Sequence, residues 1–239
     1  MVRLTSGTPT QPDDLSDQAH RQLIGYIGLV LPVLLIFTTI WRDGMDLWKK
    51  LDSISAYYYT GAVTVFVGML VSLALFLFTY RGYANTYHKY DRAAAVIAAS
   101  AALGLALFPA RVPEGFVALK WWAPWLGVIH YISAVVLLLM FAVFALWLFR
   151  VTPDSQPARP ARKWRDQVYL ICGIVILACI AWAAWEGMRD RPIFWPESFA
   201  LVAFSISWLV KGYAHRTIVH GVQRLMRGRP AATTGTLLE

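Results

Sequence analysis

Apolar residues fall into six long runs, near residues 22–41, 57–80, 91–110, 123–149, 166–187 and 194–212, with short polar stretches between them. A helix needs about 20 residues to cross a hydrocarbon core, and each run reaches about that length. None of the runs alternates apolar and polar positions in the ten-residue units of a membrane β-barrel. The pattern predicts an all-α fold, a polytopic membrane helical bundle with six transmembrane helices over residues 22–212. A polar segment, 1–21, precedes the bundle, and a basic tail, 213–239, follows it.

Lys and Arg set the orientation of such a bundle, because cytoplasmic connections carry an excess of them. The N-terminal segment, the connections 81–92 and 150–165, and the tail together with Lys211 before it hold 15 of the 22, against 7 in the opposite set, which includes Arg42, Arg111, Lys120 and Arg189. Both termini are therefore expected in the cytoplasm. Tryptophan gives an independent check. Trp41, Trp121, Trp125, Trp185 and Trp195 fall at outer ends of the expected spans, and Trp147, Trp164 and Trp208 fall at inner ends, as interfacial indoles do.

Composition agrees with lipid as the main solvent. The chain is 58% hydrophobic and 15% charged, against about 25% charged in an ordinary soluble domain. The net charge of +8 lies in loops beside the spans, which argues against nucleic acid as a partner. The first twenty residues lack the apolar core of a signal peptide, so the first run is expected to be retained as a helix. The Pro-rich, basic connection 151–165 reads as a cytoplasmic linker, or as a surface for anionic headgroups. Cys172 and Cys179 share one helical face about two turns apart, too far for a disulfide, and read as small packing residues.

Two features bear on packing. The third run repeats Ala94, Ala98, Ala102 and Ala106, with Gly104 beside them. Small residues at that spacing let helix backbones approach closely in a membrane, so this helix is expected at the bundle centre. Pro32 is expected to bend the first helix.

Polar chemistry collects at the outer half of the expected bundle. Asp52, Ser53 and Ser55 lead into the second run, Phe108-Pro-Ala-Arg111 ends the third, His130 lies in the fourth, and Glu197 opens the sixth. His130 sits about 10 Å along its span, and an ionisable group at such depth faces the bundle or a wet cavity. It reads as a functional group, or as a neutral imidazole bonded to Ser133 or a tyrosine. Glu197 follows Pro196 and suits a helix start, or it faces His130 and sets its tautomer. Asp52, Ser53 and Ser55 read as helix caps, or Ser55 as a nucleophile or ligand contact. Tyr57, Tyr58 and Tyr59 read as interfacial anchors with at least one facing inward. Lys211 and Arg81 are placed to snorkel into headgroups. His20 and His88 look solvated. His215 and His220 are five apart, whereas zinc helices space histidines by four, and no metal or other cofactor is expected.

The ordered series Ser53-Ile-Ser-Ala-Tyr-Tyr-Tyr-Thr60, Tyr80-Arg-Gly, Phe108-Pro, His130-Tyr, Cys172-Gly and Ser207-Trp-Leu-Val-Lys-Gly212 resembles a family of small bacterial six-span proteins of unknown function. The resemblance covers roughly residues 50–212. It implies a bacterial inner-membrane protein and no particular activity. A more distant comparison is with alkaline ceramidases and adiponectin-type receptors, which place several histidines around zinc. This chain departs from them, with a single intramembrane histidine and six runs.

These residues support a binding or sensing protein with an outward-facing pocket for a lipid or small amphiphile, lined by Ser53, Ser55, Tyr58, Arg111, His130 and Glu197. A membrane-embedded hydrolase using Ser55, His130 and Glu197 or Asp52 is the alternative. A transporter or channel, or a structural subunit, fits less specifically. Membrane lipids are the expected partners, with a homo-oligomer or larger membrane complex as further options.

Overall fold

The computed structural model describes residues 12–49, 51–82, 86–151 and 160–227, and at 12–18, 160–162 and 214–227 it describes the backbone alone. Linker residues 152–159, Tyr83 and the side chains of His215 and His220 lie outside the described residues. The described residues are mostly helical, without a strand. They form α1 (Pro12–Asp43), the short α2 (Met45–Trp48), α3 (Val63–Thr79), α4 (His88–Leu107), α5 (Pro124–Val143), α6 (Pro160–Gly187) and α7 (Phe194–Arg227). A 3₁₀ turn, Ile54–Tyr59, precedes α3, and a π-helical turn, Phe144–Leu148, continues α5.

Four segments are long and apolar enough to cross a membrane: Ala19–Asp43, His88–Leu107, Pro124–Leu148 and Lys163–Gly187. They are compatible with a multi-pass integral membrane protein. The second apolar run forms a helix of 17 residues, about 25 Å long, because the tyrosines before it take the 3₁₀ turn. The α7 helix carries Glu197 and Lys211 near the two ends of its apolar stretch, which sets it apart from those four.

The alanine-rich α4 lies deep in the bundle. Ala95, Ala98, Ala99 and Ala102 are wholly buried, and α4 packs along α3 on one side and α5 on the other. Within α4, Gly104 leaves room for Ser133 of α5. The α1 helix packs along α7, again through small residues. A Cβ on Gly25 would lie 2.8 Å from Leu209 Cγ, and one on Gly28 would lie 2.6 Å from Ser205 Oγ. Only glycine permits so close an approach. Pro32 lies inside α1, which runs on through it.

The end of the bundle at the C-terminal ends of α3 and α5 is filled by aromatic rings. Phe141 stacks on Phe204 at 3.5 Å, and Trp208 meets Tyr80, Phe144 and Phe149 at 5.1, 5.3 and 5.1 Å. Trp208 is thus a core residue and not the interfacial anchor expected of it. The neighbouring π turn closes through Phe149 N–H donating to the Phe144 carbonyl at 2.9 Å.

Three further expectations are corrected here. Lys211 does not snorkel: its Nζ donates to the Phe149 carbonyl at 2.9 Å, beside the rings of Phe149 and Tyr169. A helix end leaves such carbonyls without intrahelical donors, and the ammonium supplies one. His20 is not simply solvated, since its Nε2 lies 3.2 Å from Thr79 Oγ1 and its ring packs on Phe76. Arg21, assigned to the polar N-terminal segment, is buried with its guanidinium over Tyr80, because α1 begins well before the apolar run.

Candidate functional site

The polar residues of the expected outer half converge on the 3₁₀ turn that carries Ser55. Ser53 caps this turn, with its Oγ accepting from Ala56 N–H at 3.1 Å. A serine cap before Ile-Ser-Ala satisfies an otherwise orphaned donor, so the capping account of Ser53 is the one the geometry supports. Tyr57 turns fully into the core, and Tyr59 reaches outward to donate to the Ala110 carbonyl at 2.7 Å. Trp122 Nε1 donates to the same carbonyl at 3.0 Å.

Between these contacts the turn presents Ser55 to α5. Ser55 Oγ lies 2.8 Å from His130 Nε2, and His130 Nδ1 lies 2.7 Å from the Phe108 carbonyl oxygen. A carbonyl oxygen can only accept, so Nδ1 carries the proton. In the neutral ring, Nε2 is then the acceptor for the Ser55 hydroxyl. His130 is buried and Ser55 half-buried. The Phe108 carbonyl is available because Phe108 leaves the helix in extended conformation, at φ −105° and ψ 124°, as a residue before proline does.

Glu197 does not face His130. Its Oε2 accepts from Ile54 N–H at 2.7 Å, so the carboxylate holds the start of the turn and leaves the tautomer to Phe108. Ser133 is not the partner of His130 either, because its hydroxyl is turned to Gly104. Asp52 has an exposed side chain, and its backbone carbonyl accepts from Ile193 N–H at 2.6 Å and Phe194 N–H at 2.9 Å. Tyr58 packs its ring against Tyr59 and Phe66. Arg111 is exposed, with its backbone near Gly127, one turn before His130.

Of the seven residues singled out, Ser55 and His130 are in direct contact. Ser53 and Glu197 act on the turn's backbone, and Tyr58, Arg111 and the Asp52 side chain lie outside the bonded pair. Sequence reasoning missed the Phe108 carbonyl, for which Phe-Pro was the signal, and Asp43, whose Oδ2 accepts from Gly61 N–H at 2.7 Å. An open hollow lined by His88, Lys89, Arg92, Ala93, Val96 and Ile97 lies at the far end of α4 from Phe108. Among the described residues no group of three or more His, Cys, Asp or Glu is gathered as for a metal ion.

A nucleophile bonded to a base, with the base oriented by a third group, is the general arrangement for covalent catalysis. Here the third group is a carbonyl. It fixes the tautomer but brings no full negative charge to stabilise an imidazolium, as a carboxylate would. No family model, no curated protein and no solved structure matches the chain.

Proposed function

We propose that this chain is a six-span integral membrane protein of a bacterial inner membrane, with both termini cytoplasmic, whose outward end binds a lipid or small amphiphile at the Ser55–His130 pair. The observation that carries the binding reading is the bond itself. It joins a half-buried hydroxyl to a buried imidazole where four segments of the chain meet. With its proton committed to Nε2, the Ser55 hydroxyl keeps a lone pair to accept from a donor on a polar headgroup, and the exposed Trp125 and Trp195 nearby suit an interface. The orientation rests on the distribution of Lys and Arg.

Two measurements test it. Single cysteines at Lys120 and at Lys163, in a background lacking Cys172 and Cys179, are expected to label from the outer and inner face respectively. Labelling of both from one side overturns the topology. Protein purified in mild detergent is expected to retain amphiphile by native mass spectrometry, and Ser55→Ala and His130→Gln are expected to retain at least tenfold less. Equal retention by all three refutes the site.

One observation favours a second reading, hydrolysis of an ester-bearing amphiphile. The Nδ1–H tautomer leaves Nε2 free to take the Ser55 proton as Oγ attacks a carbonyl carbon. A fluorophosphonate probe is then expected to label Ser55 in the wild type and not in His130→Gln. Absence of label on wild type that still retains amphiphile leaves binding alone.

A further inference from the structure

The Ser55–His130 bond joins two pairs of helices, alongside the Tyr59 bond to the Ala110 carbonyl. His130 belongs to the α4–α5 pair, joined through Gly104, Ser133 and the Phe108 carbonyl. Ser55 belongs to a turn held from the α1–α7 pair, which closes along Gly25 and Gly28. Between the pairs, α5 and α7 meet through the stack of Phe141 on Phe204.

The turn is held at both ends by carboxylates. In front of Ser55, Glu197 in the first turn of α7 accepts from Ile54 N–H at 2.7 Å. Behind it, Asp43 at the last position of α1 accepts from Gly61 N–H at 2.7 Å. The clasp runs in both directions, since the Asp52 carbonyl accepts from Ile193 and Phe194 of the α7 entry. Thr39 of α1 and Thr60 add a longer hydroxyl contact at 3.4 Å. Glu197 and Asp43 thus each place a carboxylate oxygen on a backbone N–H, one before and one after Ser55, flanking a turn only six residues long.

We infer that Glu197 and Asp43 are positioning residues for Ser55, fixing the turn on the α1–α7 pair so that its hydroxyl meets His130 on the α4–α5 pair. The inference rests on the reading of Ser55–His130 as the functional site. It assigns the two carboxylates a role at that site without contact to a ligand. It also makes the Ser55–His130 bond sensitive to any shift between the two helix pairs.

The test is ¹⁵N-histidine NMR of the full chain in lipid nanodiscs, with His130 assigned by loss of its signals in His130→Gln. Ser55→Ala is expected to move the Nε2 resonance downfield as the hydroxyl donor is lost. Glu197→Ala is expected to move it the same way, and Glu197→Gln, which keeps an acceptor oxygen, to hold it near the wild-type position. Asp43→Ala and Asp43→Asn are expected to behave likewise. In the Ser55→Ala background, Glu197→Ala is expected to produce no further shift. A wild-type resonance in Glu197→Ala and Asp43→Ala overturns the inference, and so does a full additional shift in the Ser55→Ala background. If Glu197→Ala does not fold, Asp43→Ala decides in the same way. Should Ser55→Ala retain amphiphile as wild type does while the resonances respond as stated, the binding reading falls and the positioning role stands.

Discussion

Replacing His130 by alanine lowers the stability of the protein by about 2–4 kcal/mol, read as a lower unfolding temperature in detergent. The imidazole makes two bonds inside the bundle, to Ser55 Oγ and to the Phe108 carbonyl. Removing it leaves both partners without that contact, and each buried orphan costs about 1–3 kcal/mol. His130→Gln is expected to recover part of the loss, because an amide can donate to the carbonyl and accept from the hydroxyl. Ser55→Ala removes one bond and leaves the carbonyl satisfied, so it is expected to cost less than half as much. A His130→Ala protein that unfolds at the wild-type temperature would mean that the pair contributes nothing to holding the turn against α5.

Trp208→Ala produces a loss of similar size by a different route. The indole is wholly buried and touches the rings of Tyr80 just after α3, Phe144 in the π turn, Phe149 just after that turn and Phe204 in α7. Large-to-small changes of a buried aromatic cost about 3–5 kcal/mol, the spread reflecting how far the site collapses. In a lipid bundle the cost comes from lost dispersion contacts more than from water. Trp208→Phe is expected to recover about half of it. Thermal unfolding of Trp208→Ala within a degree of wild type would show that the ring cluster is loosely packed.

The runs of apolar residues make the helices legible, because period and length are local properties. The alanine series in α4 made its burial legible for the same reason, since small residues have one use in a membrane. The ends of the helices were less legible. Tyr57, Tyr58 and Tyr59 are apolar enough to extend the second run, yet the chain takes a 3₁₀ turn there to reach α5 and Ala110. Trp208 sits where an anchoring indole would, and only the rings around it in three dimensions make it core. At the candidate site, the depth of His130 makes its need for a partner readable, but Ser133 or a tyrosine is the partner expected, and Ser55 reads as a lining residue and candidate nucleophile. Of the two readings of Glu197, its place in the first turn of α7 holds and a bond to His130 is not made, because a sequence shows a carboxylate near a histidine in depth and not which way it points. A backbone N–H, such as that of Ile54, leaves no trace in residue identity.

The glycine seam between α1 and α7 has a consequence for how the protein is made. The partners of Gly25 and Gly28 emerge from the ribosome long after α1 does. At 5–20 residues per second the wait is roughly 10 to 35 s. During it α1 sits in the bilayer with a small-residue face that no neighbour covers, open to chaperones or to other nascent helices. Assembly therefore ends with the joining of the earliest and latest of these helices, and a chain interrupted before Leu209 leaves the circle unclosed.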